Sequence, residues 1–207
     1  MQQLTSRLLV VTDRHETGGR PLVSVLQRVL AAGRPAIQLR ERDLSAKELV
    51  ALARQVQPMA ASCPSQLVIN DRIDVALAID GAGVHLRSTS LSLPVARRLL
   101  GPRRLLGISA HSVEEVVEAE SDGADYVVLG PIYDTPSKHA YGPPLGLRRL
   151  EEACKRTHIP VIGIGGVTAA RATDMRRAGA FGAAVITAVL RAADIEAAVN
   201  SLLDALT

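Results

Sequence analysis

The sequence predicts a closed (βα)8, or TIM, barrel, and three observations favour this fold. Short apolar runs rich in β-branched residues alternate along the whole chain with longer segments of helical periodicity, which indicates parallel βα units. No linker or low-complexity stretch interrupts the 207 residues. Polar residues follow the apolar runs, as they do at the carboxyl-end rim of such barrels. We therefore expect residues 1–207 to form a single α/β barrel domain.

Apolar runs of four to six residues are the predicted strands, and the chain between them supplies the helices. The predicted strands are Leu8–Asp13, Ala36–Arg40, Gln66–Asn70, Gly83–Leu86, Leu105–Ser109, Tyr126–Leu129, Pro160–Ile164 and Gly182–Ile186. The predicted helices are Pro21–Ala32, Ser45–Ala61, Arg72–Ile79, Leu93–Leu100, Ser112–Ser121, Leu147–Arg156, Ala169–Ala178 and Asp194–Ala205. A doubly wound open sheet is the alternative fold. It requires a glycine-rich loop after the first strand, where this chain has Thr12-Asp13-Arg14-His15.

Several helix ends carry local start and stop signals. Ser45 stands three residues before Glu48, and Ser112 stands three before Glu115, so we expect a capping box at both helix starts. Glycine follows three of the apolar stripes and predicts left-handed C-caps at Gly33, Gly123 and Gly179.

Composition narrows the function classes. The formal charge of +3 comes from 24 Lys and Arg dispersed among 21 Asp and Glu, and aromatic residues make up 2% of the chain. Nucleic-acid binding is therefore not expected, whereas the basic excess suits a small phosphorylated ligand. No apolar run reaches the ~20 residues of a membrane span, and no signal pattern opens the chain. Cys63 and Cys154 lack the CxxC spacing of a zinc ribbon or a redox dithiol, which suggests a reducing compartment. We therefore expect a cytoplasmic protein without a membrane partner.

Two stretches of the predicted rim suit anions. Gly165-Gly166, after the seventh strand, offers backbone N–H groups beside a helix start, although glycines there also relieve crowding between helix and strand. The long segment Tyr133–Gly146 carries two hydroxyls and an ammonium, which indicates a second anion clamp. Its three polar side chains are those of Thr135, Ser137 and Lys138.

Asp71 and two histidines are the candidates for metal and proton chemistry. Asp71 follows the third strand, where a carboxylate serves either as a Mg²⁺ ligand or as the N-cap of the helix that begins at Ile73. His85 lies between apolar residues, so we expect a buried, hydrogen-bonded side chain rather than a catalyst. His111 is the other candidate proton carrier.

Seven motifs at the strand ends occur in the order and spacing of a known family. They are Gln38-Leu39-Arg40-Glu41-Arg42, Ile69-Asn70-Asp71-Arg72, Gly83-Val84-His85-Leu86, Gly107-Ile108-Ser109-Ala110-His111, Leu129-Gly130-Pro131-Ile132, Thr135-Pro136-Ser137-Lys138 and Ile164-Gly165-Gly166. From Val10 to Ala188 the chain resembles the family of thiamine-phosphate synthase and thiazole tautomerase. The resemblance implies a transferase of thiamine biosynthesis on a (βα)8 barrel. Such an enzyme joins an aminopyrimidine methyl diphosphate to a thiazole ethyl phosphate and releases pyrophosphate.

The resemblance also implies roles for individual residues. The catalytic set would be Lys138, Arg40 and Ser109, of which Ser109 contacts the pyrimidine side. Mg²⁺ would be held by Asp71. The substrate-binding set would be Gln38, Asn70, Thr135, Ser137, Gly165, Gly166, Ile186 and Thr187, to which we add Arg42 and Arg87, two positions at which this chain departs from the family pattern.

The chain departs from the synthase pattern at three places. Ser90 stands where the family has a second Mg²⁺ carboxylate, Arg87-Ser88 replaces a Gly-Gln pair, and Arg42 replaces a lysine. Either Arg87 supplies part of the missing charge or synthase activity is lost, and the three changes resemble the tautomerase branch, which also has Arg at position 42. On the first interpretation we expect Mg²⁺ to bind weakly without a diphosphate ligand.

The tautomerase pattern has its own gap, because its proton-shuttling histidine falls on Pro131. That activity would need a relocated base, and the candidates are His111, His139 and Glu41. Synthase is the primary prediction. Tautomerase and a non-catalytic binder of thiamine precursors are the alternatives, and the helix patterns leave the oligomeric state open.

Overall fold

In the computed structural model, parallel strands pair in chain order and the last strand pairs with the first, which closes a barrel. The structure describes residues 3–61, 66–135 and 143–207. The strands are β1 (Leu8–Val11), β2 (Ala36–Leu39), β3 (Leu67–Asn70), β4 (Gly83–Leu86), β5 (Leu106–Ala110), β6 (Tyr126–Leu129), β7 (Val161–Ile164) and β8 (Gly182–Val185). The helices are α1 (Leu22–Gly33), α2 (Ala46–Ala61), α3 (Ile73–Leu77), α4 (Leu93–Leu100), α5 (Val113–Ser121), α6 (Gly146–Arg156), α7 (Ala169–Arg177), α8 (Thr187–Leu190) and α9 (Ile195–Ala205). The predicted (βα)8 barrel is confirmed.

Successive side chains of each strand point to opposite faces, so the barrel has two apolar layers. One layer fills the barrel interior and includes Leu9, Val11, Val68, Tyr126, Val128 and Ile162. The other layer lies between strands and helices, where Leu8, Val10 and Ile37 are fully buried. Because both layers are mainly apolar, the polar side chains of the strands, such as those of Gln38, His85 and Ser109, lie toward the carboxyl ends of the strands.

One predicted capping box forms, and the other is displaced by one residue. The backbone N–H of Ser45 donates to Glu48 Oε2 at 2.8 Å, and Glu48 N–H donates to Ser45 Oγ at 3.3 Å. Ser112 Oγ accepts from Glu115 N–H at 3.1 Å. The Glu115 carboxylate, however, accepts from the backbone N–H of His111 at 2.7 Å instead of from Ser112.

The predicted left-handed C-cap at Gly33 is wrong. Gly33 is the last residue of α1, and Arg34 adopts the left-handed conformation, with φ 54°. A Cβ on Gly33 would lie 2.1 Å from Cδ1 of Leu203, so glycine at this position leaves room for that side chain of α9. The other two predicted caps are confirmed, since Gly123 and Gly179 have φ of 90° and 93°.

Two short helical elements were not predicted, and both follow a strand end at the rim. They are the 3₁₀ turn Arg14–Glu16 and helix α8. Within the described residues, no helix combines the length and the apolar character needed to cross a membrane. Cys154 is half-buried, and burial raises the pKa of its thiol to about 11. Cys63 lies outside the described residues.

Candidate active site

Two adjoining cavities open at the carboxyl ends of the strands. The central cavity, of about 180 Å³, is lined by Gln38, Arg40, Arg42, Asn70, His85, Arg87, Ser109 and His111 among others. The lateral cavity, of about 230 Å³, is lined by Arg40, Arg42, Thr135, Gly165, Gly166, Ile186 and Thr187 among others. Arg40 and Arg42 line both cavities, so these two arginines belong to the boundary that the cavities share.

The central cavity presents unused hydrogen-bond donors as well as charge. Gln38 is 4% exposed, and its Nε2 is buried without a hydrogen-bond partner among the described residues. A buried amide that lacks a partner costs free energy, so a ligand that accepts from Gln38 would recover it. Arg40 Nη1 lies 3.7 Å from Asp13 Oδ2, which fixes that guanidinium beside the cavity.

The paired glycines of the lateral cavity are required by close packing. Gly165 has φ 103°, and its Cβ would lie 2.8 Å from Cβ of Pro131. Gly166 has φ 61°, and its Cβ would lie 2.7 Å from the carbonyl oxygen of Asp134. The crowding is therefore with the segment that follows β6 and not between helix and strand as expected, and the same glycine backbone lines the lateral cavity.

Asp71 lies in a third pocket of about 190 Å³, together with Asn70 and Arg87. Its Oδ2 accepts from Arg87 Nε at 2.8 Å and from Arg87 Nη2 at 2.5 Å, and its Oδ1 accepts from Ser90 Oγ. The residue has φ 64°. The predicted N-cap role is wrong, because Arg72 holds the N-cap position of α3 without a side-chain hydrogen bond.

This donor set does not fit a Mg²⁺ ion held by the protein alone. Two carboxylates line this pocket, those of Asp71 and Glu41. Both Asp71 oxygens already accept hydrogen bonds, from Arg87 and from Ser90. Across residues 3–61, 66–135 and 143–207, no three His, Cys, Asp or Glu side chains are grouped closely enough to hold a metal. Arg87 therefore occupies the position beside Asp71 that a cation would take.

His85 is buried, as expected, and belongs to a hydrogen-bonded chain that the sequence did not predict. Its Nδ1 lies 3.0 Å from the Tyr126 hydroxyl, and its Nε2 lies 2.9 Å from Ser109 Oγ. Burial lowers the pKa of His85 to about 3 and raises the pKa of Tyr126 well above its usual range. Both side chains are therefore neutral at physiological pH. Tyr126 was missed because only the strand register brings it to His85.

The candidate bases for a tautomerase differ in their surroundings. Glu41 is buried, and its oxygens accept from Thr12 Oγ1 at 2.6 Å and from Arg14 N–H at 3.0 Å. These bonds hold the end of β1 against β2. His111 lines the central cavity, and its Nδ1 lies 2.7 Å from the carbonyl oxygen of Gly130, which leads into a cis peptide bond with Pro131. His139 lies outside the described residues.

The structure gathers most of the predicted site residues at the two cavities and leaves two of them undescribed. Lys138 and Ser137 lie outside the described residues. The sequence interpretation did not select Asp13 and Glu16, which also line the lateral cavity. Their position directly after the first strand, at the rim, was the available signal.

Comparison with known proteins fits this arrangement. Residues 8–189 match the family described as thiamine monophosphate synthase. The chain belongs to that family. A thiamine-phosphate synthase from Roseiflexus castenholzii is 44% identical over 195 residues, which cover 94% of this chain and 86% of that protein. One from Moorella thermoacetica is 42% identical over 200 residues, 97% of this chain and 95% of that protein.

A solved structure has the same architecture. The thiamine phosphate pyrophosphorylase from Pyrococcus furiosus superposes with a TM-score of 0.88 at 32% identity. The match covers 97% of this chain and 95% of that one. The predicted family is thereby confirmed.

Proposed function

We propose that this protein is a thiamine-phosphate synthase, which joins an aminopyrimidine methyl diphosphate to a thiazole ethyl phosphate. The observation that carries the proposal is the pair of adjoining cavities that share Arg40 and Arg42. Two cavities with cationic groups between them suit two anionic substrates held side by side. The names of the relatives support the same reaction.

The reaction needs positioning and charge stabilisation more than a protein nucleophile. The bond between the methylene carbon and the diphosphate oxygen breaks, and pyrophosphate leaves with that electron pair. The electron-rich aminopyrimidine stabilises the cation that remains, and the thiazole nitrogen donates its lone pair to form the new C–N bond. The enzyme must hold the two reactants in line and stabilise the departing negative charge.

The central cavity is assigned to the pyrimidine diphosphate. Gln38 Nε2 would donate to a phosphate oxygen, which would satisfy its buried N–H. Arg40, Arg42 and Arg87 carry permanent positive charge and fork-shaped donors that match phosphate oxygens. Because the described residues do not fit a protein-held Mg²⁺, the charge on the leaving group is assigned to these arginines. Lys138, by resemblance, would add a further cation.

The lateral cavity is assigned to the thiazole phosphate. Backbone of Gly165 and Gly166 and the hydroxyls of Thr135 and Thr187 line it. Clustered hydroxyl and backbone N–H donors can bind a phosphate group directly. The thiazole nitrogen would then face the central cavity across Arg40 and Arg42.

A coupled assay of pyrophosphate release and thiamine phosphate formation tests the proposal. Purified protein with Mg²⁺ and both substrates should form the two products in equal amounts, and omission of either substrate should abolish both. Binding of the substrates without product would instead identify a non-catalytic binder. Proton exchange in a thiazole carboxylate phosphate, without pyrophosphate release, would identify a tautomerase, and His111 would then be the base to substitute.

Three substitutions test which substrate each cavity holds. Arg87→Gln should raise KM for the pyrimidine diphosphate alone, because Arg87 lines only the central one of the two cavities. Thr135→Ala should raise KM for the thiazole phosphate alone. Arg42→Gln should raise both KM values. Arg98→Gln on α4 is the matched control, since it removes the same charge from an exposed position away from both cavities.

A further inference from the structure

Tyr126, His85 and Ser109 form a hydrogen-bonded chain that runs from the barrel interior to the central cavity. His85 on β4 pairs in register with Gly107 on β5, which pairs in turn with Tyr126 on β6. A Cβ on Gly107 would lie 2.2 Å from the Tyr126 ring. The missing side chain therefore allows the ring to lie across β5 and its hydroxyl to reach His85.

The position of the proton on the His85 ring decides the direction of both hydrogen bonds. Among the described residues, His85 Nδ1 is the one partner of the buried Tyr126 hydroxyl. If His85 carried its proton on Nδ1, the phenol hydrogen would have no acceptor, which is a costly arrangement inside a protein. Tyr126 therefore donates to Nδ1.

A neutral histidine that accepts at Nδ1 carries its one proton on Nε2. His85 Nε2 therefore donates to Ser109 Oγ, at 2.9 Å. The Ser109 hydroxyl accepts this bond and keeps its own hydrogen. No described residue is placed to accept that hydrogen, and Ser109 lines the central cavity.

We propose that Tyr126 and His85 are positioning residues that turn Ser109 into a dedicated hydrogen donor toward the substrate. The ligand atom that Ser109 meets is then an acceptor, such as an unprotonated ring nitrogen of an aromatic heterocycle, and not an amino group. The identity of that heterocycle as the aminopyrimidine rests on the proposed function. The direction of the hydrogen bonds does not.

The direction is measurable in the unmodified protein. In ¹⁵N-histidine NMR, His85 should show an unprotonated Nδ1 and a protonated Nε2, with its signals assigned by their loss in His85→Gln. A proton on Nδ1 would overturn the proposal. This measurement requires neither substrate nor activity, so it also stands if the protein forms no thiamine phosphate.

A double-mutant cycle tests the positioning role. Tyr126→Phe keeps the ring and removes the hydroxyl, and it should raise KM for the pyrimidine diphosphate by about tenfold with a smaller change in kcat. In a Ser109→Ala background the same change should have no further effect. If the two effects multiply, Tyr126 acts elsewhere and the proposal is wrong. Ser121→Ala is the control, because it removes a hydroxyl that donates to the carbonyl of Val117, at 3.2 Å, on the exposed face of α5 away from both cavities.

Histidine variants separate hydrogen-bond donation from packing. His85→Gln can place an amide N–H near the position of Nε2 and should retain more affinity than His85→Leu. Equal losses in the two variants would contradict a donor role. Pyrimidine analogues with either ring nitrogen replaced by C–H identify the acceptor, since one of them should lose affinity in the wild type but not in Ser109→Ala. Undiminished binding of both analogues would refute an acceptor at Ser109.

Discussion

Arg87 donates through both Nε and Nη2 to a single oxygen of Asp71, at 2.8 and 2.5 Å. Ser90 Oγ donates to the other oxygen, so this rim carboxylate is fully engaged by its own chain. The Arg87 and Asp71 side chains are 50% and 22% exposed. An ion pair that is open to solvent contributes little to stability, so the main consequence of the contact is for what binds at the rim.

Mg²⁺ should bind weakly to the free protein and more tightly when pyrophosphate is present. Both oxygens of Asp71 accept hydrogen bonds from Arg87 and Ser90, which compete with a metal ion in the free protein, whereas phosphate oxygens can complete an octahedral shell. Isothermal titration with Mg²⁺ alone and with Mg²⁺ after pyrophosphate measures the difference. Ser90→Asp should strengthen binding of the metal alone by about tenfold, because it adds a second oxygen ligand next to Asp71. Tight binding of Mg²⁺ to the unmodified free protein would contradict this account.

Arg87→Gln should weaken pyrophosphate binding by about tenfold, because a charge-assisted, fork-shaped donor is lost from the central cavity. Calorimetry in the absence of metal measures the effect directly. Arg98→Gln, which changes the net charge equally, should leave pyrophosphate affinity unchanged. If Arg87→Gln matches that control, Arg87 does not serve the diphosphate.

Lys138→Ala should reduce kcat for thiamine phosphate formation on the order of a hundredfold, since a cation that stabilises the departing pyrophosphate acts mainly in the transition state. The comparison is Lys155→Ala. Lys155 is a 72% exposed lysine on α6 that pairs with Glu151. A similar rate in the two variants would remove Lys138 from the predicted catalytic set.

Gly107→Ala should destabilise the fold by about 1–3 kcal/mol, because the added methyl would overlap the Tyr126 ring. Urea denaturation gives the free energy of unfolding. The same substitution in a Tyr126→Ala background should cost clearly less, since the space that the ring fills is then empty. Equal costs in both backgrounds would show that the methyl is resisted by something other than Tyr126.

The stability of the fold should decrease as pH falls below about 6.5, in part through His85. Burial lowers the pKa of this histidine from its usual 6.5 to about 3, so between these values the unfolded chain binds a proton that the folded chain does not. The contribution is complete above pH 6.5 and is lost progressively below it. Between pH 7 and pH 5 it amounts to roughly 1–2 kcal/mol.

Denaturation of the wild type and of His85→Gln at both pH values isolates this contribution. The variant should lose less stability on acidification, because its neutral amide does not titrate. Identical losses would show that His85 titrates in the folded protein as it does in the unfolded chain, which would contradict the lowered pKa.

The order of elements and most site residues could be predicted from sequence because they depend on local chemistry. Apolar runs, the Ser45–Glu48 box and the glycines at 123 and 179 act within a few residues of chain. The rim position of Arg40, Arg42 and Asn70 follows from their place at the end of a strand or within three residues after it, and a barrel brings all strand ends to one rim.

The tertiary structure alone decided which of these side chains meet. Gly33 was interpreted as a helix cap, but it is the last residue of α1 and contacts the Leu203 side chain of α9. Asp71 was a candidate cap, but Arg87, sixteen residues later, takes its carboxylate. Tyr126 reaches His85 across forty-one residues of chain because Gly107 lies in register between them. Sequence specifies residue type and strand position. The partner of a side chain depends on strand register and on the space that a small residue such as Gly107 leaves on a neighbouring strand. Both are defined only once the barrel has closed.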